Sequence, residues 1–241
     1  MQNIDIVIIA TRRRALVERM IRSFSEKVFN NFTVGKVFIN IDPVWGDEND
    51  QAAIKNLLEQ TFQDVTIFEP KKANFPHAVK VSWMHTTADT VLHLEEDWIA
   101  LEQITPNIVF ENLTNEIPSL SLMHEEKNWN GKQEYHYPRP KMFGQLFKFE
   151  DRTRPHFSTS PSFWSGNFLR DCAMLIDIKF DPEKQFYDDI NLKLQKFVSK
   201  KKCKFLTGKP NLVEDIGRVW REENHIEKIY ENGVTSWIST K

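Results

Sequence analysis

The stretch that decides the fold is IDIVIIATRRRALVERMIRSF, residues 4–24. Residues 4–10 are almost uninterrupted β-branched apolar side chains, which is typical of a strand buried on both faces of a parallel sheet. From residue 14 onward the apolar side chains recur at helical spacing, and Thr11 is a candidate helix cap. The stretch therefore predicts a strand that leads directly into a helix.

The same alternation continues as far as residue 94. Further strand patterns lie at residues 37–41, 65–68 and 91–94, and helical patterns at residues 53–62 and 76–88. The last of these also fits strand alternation, because Val79, Val81 and Trp83 are two residues apart. The β-α-β-α-β-α-β order predicts an α/β fold with a mostly parallel central sheet flanked by helices.

The second half of the chain has weaker patterns. They predict strands at residues 119–123 and 203–206 and a helix at residues 166–175. Asp181 and Pro182 suit the start of another helix, with Phe186, Ile190, Leu194 and Phe197 as its apolar stripe. We expect one domain over residues 1–241, with a regular half (1–100) and a loop-rich half (101–241).

Composition excludes several classes of protein. The 241-residue chain has a formal net charge of -2, which does not favour nucleic-acid binding. Its two cysteines form neither a disulfide framework nor a zinc site. The sequence has no basic leader and no apolar run near the roughly 18 residues that span a bilayer, so we expect a soluble cytoplasmic protein. The eight glycines form no phosphate-binding loop, so a nucleotide would need another device.

An acidic triplet ends the strand VLHLEED, residues 91–97. If the strand continues through Asp97, then Glu95 and Asp97 share one face and Glu96 faces away. Ligands bind at the carboxyl ends of strands in open α/β sheets. Two carboxylates there suit Mg²⁺ or Mn²⁺, which complete their coordination with substrate phosphates. The alternative is a solvated strand end at which Asp97 caps a following helix.

The order of four segments resembles a glycosyltransferase with the GT-A fold. They are residues 4–24, the acid-terminated strand INIDP, the segment KKANFPHAVKVSW and VLHLEED. The chain is similar to inverting family 2 enzymes of the small stand-alone bacterial or viral type. The resemblance implies Mn²⁺- or Mg²⁺-dependent sugar transfer from a UDP- or GDP-type nucleotide-diphosphate donor to a glycan or other hydroxyl acceptor. Glu95 and Asp97 match an Asp-x-Asp-like motif, and Asp97 is the preferred metal ligand because Glu replaces the usual first Asp.

The resemblance also implies donor-binding positions in the first half and near the C-terminus. They are Ala10, Thr11, Arg12, Asp42, Lys72, Asn74, Lys80, Glu95, Glu96 and Arg218. Structural alternatives are a helix cap for Thr11, an Asp-Pro turn for Asp42 and a solvated face for the arginines at 12–14.

Inverting transfer also needs a carboxylate that accepts the proton of the acceptor hydroxyl. Glu183 is the first candidate, although it would also favour the positive end of a helix, and Asp188 is the second. Asp189, Glu125 and Glu126 are further options. Candidate acceptor-binding residues are Ser160, Trp164 and Trp220. His225 is a candidate third metal ligand, or simply a surface histidine.

Two other functions compete with this hypothesis. A sugar nucleotidyltransferase expects a glycine-rich turn with a basic residue after the first strand, and ATRRRA supplies arginines without glycine. A non-catalytic carbohydrate- or nucleotide-binding protein of the same fold would not depend on Asp97. Replacement of Asp97 therefore discriminates between a metal-dependent glycosyltransferase and a non-catalytic binding protein.

Overall fold

The computed structural model describes residues 3–122, 133–138, 141–142, 147–148, 151–206 and 211–240. Its strands are β1 Asn3–Thr11, β2 Thr33–Asp42, β3 Val65–Phe68, β4 Thr90–Glu95, β5 Trp98–Ala100, β6 Ser119–Leu122, β7 Lys141–Met142, β8 Phe147–Lys148, β9 Ser162–Ser165, β10 Cys203–Leu206, β11 Val213–Asp215, β12 Ile226–Glu231 and β13 Val234–Ser239. Its helices are α1 Arg14–Lys27, α2 Glu48–Thr61, α3 Phe75–His85, α4 Pro106–Phe110, α5 Gly166–Leu175, α6 Leu192–Val198 and α7 Gly217–Glu223. Within the described ranges no helix combines the length and apolarity needed to cross a bilayer.

A seven-stranded sheet in the order β10-β6-β9-β4-β1-β2-β3 organises the molecule. β1 is parallel to both of its neighbours, β2 and β4, whereas β9 is antiparallel to β4 and β6. Thr11 pairs with Asp42, and Ile9 pairs with Glu95. The carboxyl ends of three adjacent parallel strands therefore meet at one edge, as the mostly parallel α/β prediction requires.

The sheet separates two apolar layers. Ile4, Ile6 and Ile8 of β1 pack with α1 and α2 on one face, whereas Val7 and Ile9 pack on the face that holds α3 and α5. Each fully buried side chain of this kind contributes about 1.5–3 kcal/mol relative to an exposed one. Burial on both faces is the reason that residues 4–10 are continuously apolar.

Local caps explain two helix starts. Asp47 caps α2 and forms a capping box with Asp50, so the helix begins earlier than the predicted residue 53. Asn74 caps α3 by accepting a hydrogen bond from the backbone N–H of His77. This cap and Pro76 in the first turn resolve the ambiguity at residues 76–88 in favour of a helix.

The prediction of a helix that begins at Asp181 is wrong. Asp181 does cap a turn, by accepting hydrogen bonds from the backbone N–H groups of Glu183 and Lys184, but only a 3₁₀ turn follows. Asp189 then adopts a φ of 58°, which ends the helical path, and Asn191 caps a separate helix, α6. The expected continuous apolar stripe is therefore divided between two elements.

Candidate functional site

The acidic triplet lies where β4 leaves the sheet. The strand ends at Glu95, a turn contains Glu96 and Asp97, and β5 begins at Trp98. The expected continuation of strand alternation through Asp97 is therefore wrong. The turn brings Glu96 and Asp97 against the same side chain, the guanidinium of Arg13.

Glu96 is held by donors from the end of β1. Its Oε1 accepts hydrogen bonds from the Thr11 hydroxyl at 2.9 Å and from Arg13 Nε at 2.9 Å. Burial raises the pKa of Glu96, and the positive charge of Arg13 opposes that rise. Thr11 thus contacts the acidic turn, and Glu96 is committed to bonds within the protein.

Asp97 is buried between β1 and the C-terminal segment. Arg13 Nη2 lies 3.1 Å from Asp97 Oδ2, and the backbone N–H of Ile216 donates to the Asp97 carbonyl at 2.8 Å. A Cβ added to Gly217 would lie 2.3 Å from Asp97 Oδ2. The carboxylate therefore occupies the space that the missing side chain of Gly217 leaves at the start of α7.

Glu95 lies beside Asp97 with little compensating charge. Burial raises the pKa of Glu95, Asp97 raises it further, and Lys228 opposes the rise. The Thr159 side chain hydrogen-bonds the Glu95 carboxylate. Two residues earlier in β4, buried His93 accepts a hydrogen bond from Trp83, and burial lowers the pKa of His93 to about 3. His93 is thus a neutral core residue.

The acids provide an incomplete shell for a divalent cation. Among the described residues no group of three or more His, Cys, Asp or Glu side chains forms a metal cage. Mg²⁺ and Mn²⁺ sites that also bind phosphates need only one or two protein carboxylates. Glu95 and Asp97 supply hard carboxylate oxygens, and the repulsion between their negative charges favours a nearby positive charge, so they fit a cation of this kind.

The donor-side candidates divide into two groups. Asp42 Oδ2 accepts a hydrogen bond from the backbone N–H of Asn74 at 3.2 Å, and burial raises the pKa of Asp42. The structure thus brings these two residues together beside Thr11. In contrast, Lys80 donates to the carbonyl of Ile176 and ties α3 to the end of α5.

The remaining donor-side candidates lie near the edge of the sheet at which the carboxyl ends of the parallel strands meet. Arg12 bonds Gln51 and Glu48 of α2, so it is neither a solvated face nor directed at the acids. Ala10 is buried within β1, and Lys72 is exposed in the loop before α3.

The C-terminal candidates lie on or after α7. Trp220 packs against Arg13, with 4.8 Å from the guanidinium carbon to the ring centroid. Arg218 is exposed in the first turn of α7. His225 is exposed in the turn before β12 with a φ of 53°, and no described contact joins it to Asp97. The structure thus places Trp220, but not His225, beside the acidic turn.

Glu183 lies in a second polar cluster. Its Oε1 is 3.3 Å from His156 Nε2, accepts a hydrogen bond from the Tyr187 hydroxyl at 3.2 Å and lies 3.6 Å from Lys184 Nζ. Burial by itself raises the pKa of Glu183, but the His156 bond and the nearby positive charges outweigh it and lower the pKa. The carboxylate is therefore ionised near neutral pH.

Two observations connect this cluster with the acidic turn. Lys228 of β12 lowers the pKa of both Glu95 and Glu183, so its ammonium lies within electrostatic range of both. In addition, the segment of residues 156–159 begins at the partner of Glu183 and ends at Thr159, the partner of Glu95. Because three residues of extended chain span about 10 Å, His156 and Thr159 lie within about that distance of each other.

The other second-half candidates are placed as follows. Asp188 accepts a hydrogen bond from Tyr230 at 2.8 Å, and Ser160 shares one with Ser158. Trp164 is fully buried, and its Nε1 donates to Ser162. The structure removes Trp164 from the acceptor site, because a buried core ring has no face for a sugar. Glu125 and Glu126 lie outside the described residues.

Two further residues of the site had no distinctive sequence signal. Arg13 is one of three consecutive arginines, and nothing in the sequence separates the buried one from its neighbours. Gly217 is the first residue of α7, and the sequence does not distinguish it from the other glycines. Only the contact of each residue with Asp97 shows its importance.

Comparison with known proteins adds evidence on the fold. No protein-family model matches the chain, and no curated protein sequence matches it. The mannosyltransferase PcManGT from Pyrobaculum calidifontis, in complex with GDP-Man and Mn²⁺, superposes with a TM-score of 0.59 at 10% identity, over 92% of this chain and 60% of that chain. The chain has a GT-A-like fold. S. aureus TarS 1–349 in complex with UDP matches with a TM-score of 0.55 at 11% identity, over 89% of this chain and 60% of that one.

The GT-A-like chain thus spans about 60% of the length of each of these proteins. The fold prediction is confirmed. Sequence identity of 10–11% transfers no residue role, so the chemistry of the site depends on its own geometry.

Proposed function

We propose that the protein is a metal-dependent glycosyltransferase that moves a sugar from a nucleotide-diphosphate donor to a hydroxyl acceptor. The observation that supports this most directly is the Glu95–Asp97 carboxylate pair at the end of a central strand. Thr11 ends the adjacent strand β1, and Asp42 ends β2, the next strand across the sheet. Nucleotide ligands bind at such an edge in open α/β sheets. The solved proteins of similar fold hold GDP-Man with Mn²⁺ or UDP.

In this proposal Asp97 and Glu95 hold the divalent cation. When bound, that cation would offset the charge that develops on the departing nucleoside diphosphate. Asp42 and the backbone around Asn74 would contact the nucleoside, since they lie at the same edge of the sheet. The donor would be of the UDP or GDP type.

Glu183 would act on the acceptor side. Its Oε1 is held by His156, Tyr187 and Lys184, and Oε2 would accept the proton of the acceptor hydroxyl. The acceptor oxygen forms a bond to the anomeric carbon, and the bond from that carbon to the diphosphate oxygen breaks with its electron pair. One displacement of this kind inverts the anomeric configuration.

The test combines binding with turnover. Isothermal titration of UDP and GDP, with and without Mn²⁺, is followed by hydrolysis of UDP- and GDP-sugars with water as the acceptor. We expect at least one nucleotide to bind in a Mn²⁺-dependent manner, and we expect Asp97→Asn to lower hydrolysis at least about 100-fold because it removes a charged ligand.

The outcome against the proposal is equally specific. Nucleotide or sugar binding that does not require Mn²⁺ and is unchanged in Asp97→Asn would refute the metal site, and absence of hydrolysis in addition would indicate a non-catalytic binding protein of the same fold. Arg14→Lys serves as the control, because Arg14 is an exposed residue of α1 that pairs with Glu18.

A further inference from the structure

Arg13 is a buried arginine at the centre of the acidic turn. It is 8% exposed, and it is the second of the two residues between the end of β1 and the start of α1. Its Nε and Nη2 donate to Glu96 Oε1 at 2.9 and 2.5 Å, and Nη2 also contacts Asp97 Oδ2 at 3.1 Å. One guanidinium thus bonds two adjacent carboxylates.

Two adjacent indole rings contact this guanidinium. Its central carbon lies 4.9 Å from the ring centroid of Trp45 and 4.8 Å from that of Trp220. The two ring centroids are 5.6 Å apart. Stacked arginine–aromatic contacts contribute about 0.5–2 kcal/mol, more where water is excluded. Arg13 therefore has little freedom to leave the acids.

Trp45 is held in an uncommon backbone conformation. Its φ is 62°, in the left-handed region that bulky residues rarely adopt and that costs about 1–3 kcal/mol. Such strain persists where surrounding contacts determine the conformation. Here the contacts are with Arg13, Trp220 and Trp237. The loop after β2 and helix α7 thus both pack on the group that bonds the acidic turn.

The bonds of Arg13 distinguish the three acids. Glu96 accepts bonds from Thr11 and Arg13 through a single oxygen, whereas Asp97 contacts Arg13 through Oδ2 alone. No salt bridge joins Glu95 to a cationic residue within the described part of the chain, although Lys228 lies within electrostatic range. Apart from Glu96 Oε2, the carboxylate oxygens of the three acids that Arg13 does not occupy are thus those of Glu95 and Oδ1 of Asp97.

We infer that Arg13 is a positioning residue that assigns different roles to the three acids. It holds Glu96 in hydrogen bonds within the protein. It also orients Asp97 so that Oδ1, together with Glu95, is left for a divalent cation. This inference rests on the proposed function, because it concerns the same cation site. It adds a residue and a role that the resemblance to family 2 enzymes did not imply.

Lysine cannot replace arginine in this position. Arginine presents several N–H donors in one plane and can pack that plane against aromatic rings, whereas lysine is a compact charge on a flexible stem. Arg13→Lys therefore keeps the net charge of the site but loses the simultaneous bonds to Glu96 and Asp97. Any change in cation affinity then reports orientation and not charge.

The experiment is a titration of Mn²⁺ at fixed pH and salt, with free Mn²⁺ measured by electron paramagnetic resonance in the presence of UDP or GDP. Loss of a group that orients metal ligands commonly costs 10- to 100-fold in affinity. We expect this range for Arg13→Lys and no change for the control Arg14→Lys.

A second variant covers the case in which Arg13→Lys does not fold. Trp45→Leu removes one of the two rings that contact the guanidinium, and no described contact joins Trp45 to an acid of the turn. We expect it to weaken Mn²⁺ binding about threefold to tenfold, because it loosens the guanidinium and leaves the charges intact. Circular dichroism establishes that each variant is folded.

The possible outcomes separate the inference from the proposed function. Equal Mn²⁺ affinity in the wild type and in folded Arg13→Lys, or in Trp45→Leu if only that variant folds, overturns the inference and leaves the proposed function standing. Absence of Mn²⁺ binding by the wild type with either nucleotide overturns the metal-dependent function, and the inference fails with it. Weakened binding in the variants, with Arg14→Lys unchanged, supports the inference.

Discussion

The contact between Gly217 and Asp97 gives a sharp test of the site geometry. A Cβ at position 217 would lie 2.3 Å from Asp97 Oδ2, 2.7 Å from Cγ and 2.8 Å from Cβ. Carbon atoms in good contact are about 3.5–4.0 Å apart, so Gly217→Ala requires the whole Asp97 side chain to move by about 1 Å. That movement would break its 3.1 Å contact with Arg13.

The stability cost of Gly217→Ala can be compared with the gain that helix propensity predicts for the same substitution. Overpacking costs about 1–3 kcal/mol, and loss of a hydrogen bond to a charged group costs about 1.5–3 kcal/mol. Because one displacement causes both, we expect Gly217→Ala to lower the free energy of unfolding by about 2–4 kcal/mol. Helix propensity alone predicts the opposite, a gain of up to about 1 kcal/mol for alanine in a helix. The sign of the change therefore identifies the dominant effect.

Urea unfolding followed by circular dichroism measures this change, and Mn²⁺ titration measures its effect on the site. In Asp97→Ala the oxygen and Cγ are absent, so adding Gly217→Ala should cost clearly less than in the wild type. This double-mutant cycle assigns the penalty to the pair. A Gly217→Ala protein as stable as the wild type, with unchanged Mn²⁺ affinity, would refute the assignment of this contact.

Two further predictions concern the carboxylates whose pKa values are shifted in opposite directions. Burial and Asp97 raise the pKa of Glu95, so its ionisation destabilises the folded state above about pH 4.3, the ordinary value for glutamate. Glu95→Gln should therefore raise the free energy of unfolding at pH 7 by about 1 kcal/mol, converge with the wild type near pH 4 and weaken Mn²⁺ binding. His156 and nearby cations lower the pKa of Glu183 despite its burial, so its ionised form stabilises the fold above about pH 4.3. Glu183→Gln should be less stable by about 1–2 kcal/mol at pH 7, should converge with the wild type as the pH falls below about 4, and should lower transfer about 10²- to 10⁴-fold.

Urea unfolding between pH 3 and pH 8 measures both stability differences, and Asp64→Asn, at a residue on an exposed turn, is the shared control. A Glu95→Gln protein that is less stable than the wild type at pH 7 would contradict the charge imbalance at the acidic turn. Sugar transfer that survives within a few-fold in Glu183→Gln would show that Glu183 is not the base.

The regular half of the fold was predictable because its signals are local. Continuous apolar residues at 4–10 require burial on both faces, and the structure places β1 at the centre of the sheet. Asn74 and Pro76 fix the start of α3 through bonds and sterics within one turn. Each signal depends on neighbours a few residues apart, so it does not need the rest of the molecule.

The errors occur where distant contacts override a local pattern. The Asp181 cap signal is real, but Asp181 also bonds the β12–β13 hairpin through Gly233 and Thr235, and the chain turns at Asp189 before α6. Trp164 is one of the acceptor-binding residues that the sequence predicts. It lies instead in β9, between β4 and β6, where both faces of the sheet are covered.

The sequence by itself determined that three acids end a buried strand of an α/β sheet, and hence where ligands would bind. It left the roles of those acids open, because alternation describes a strand and the strand ends at Glu95. The tertiary structure decided the rest. Arg13 bonds Glu96 and Asp97, and Gly217 leaves room for Asp97, through contacts between residues some 83 to 120 positions apart in the chain. Only folding brings such residues within hydrogen-bond distance.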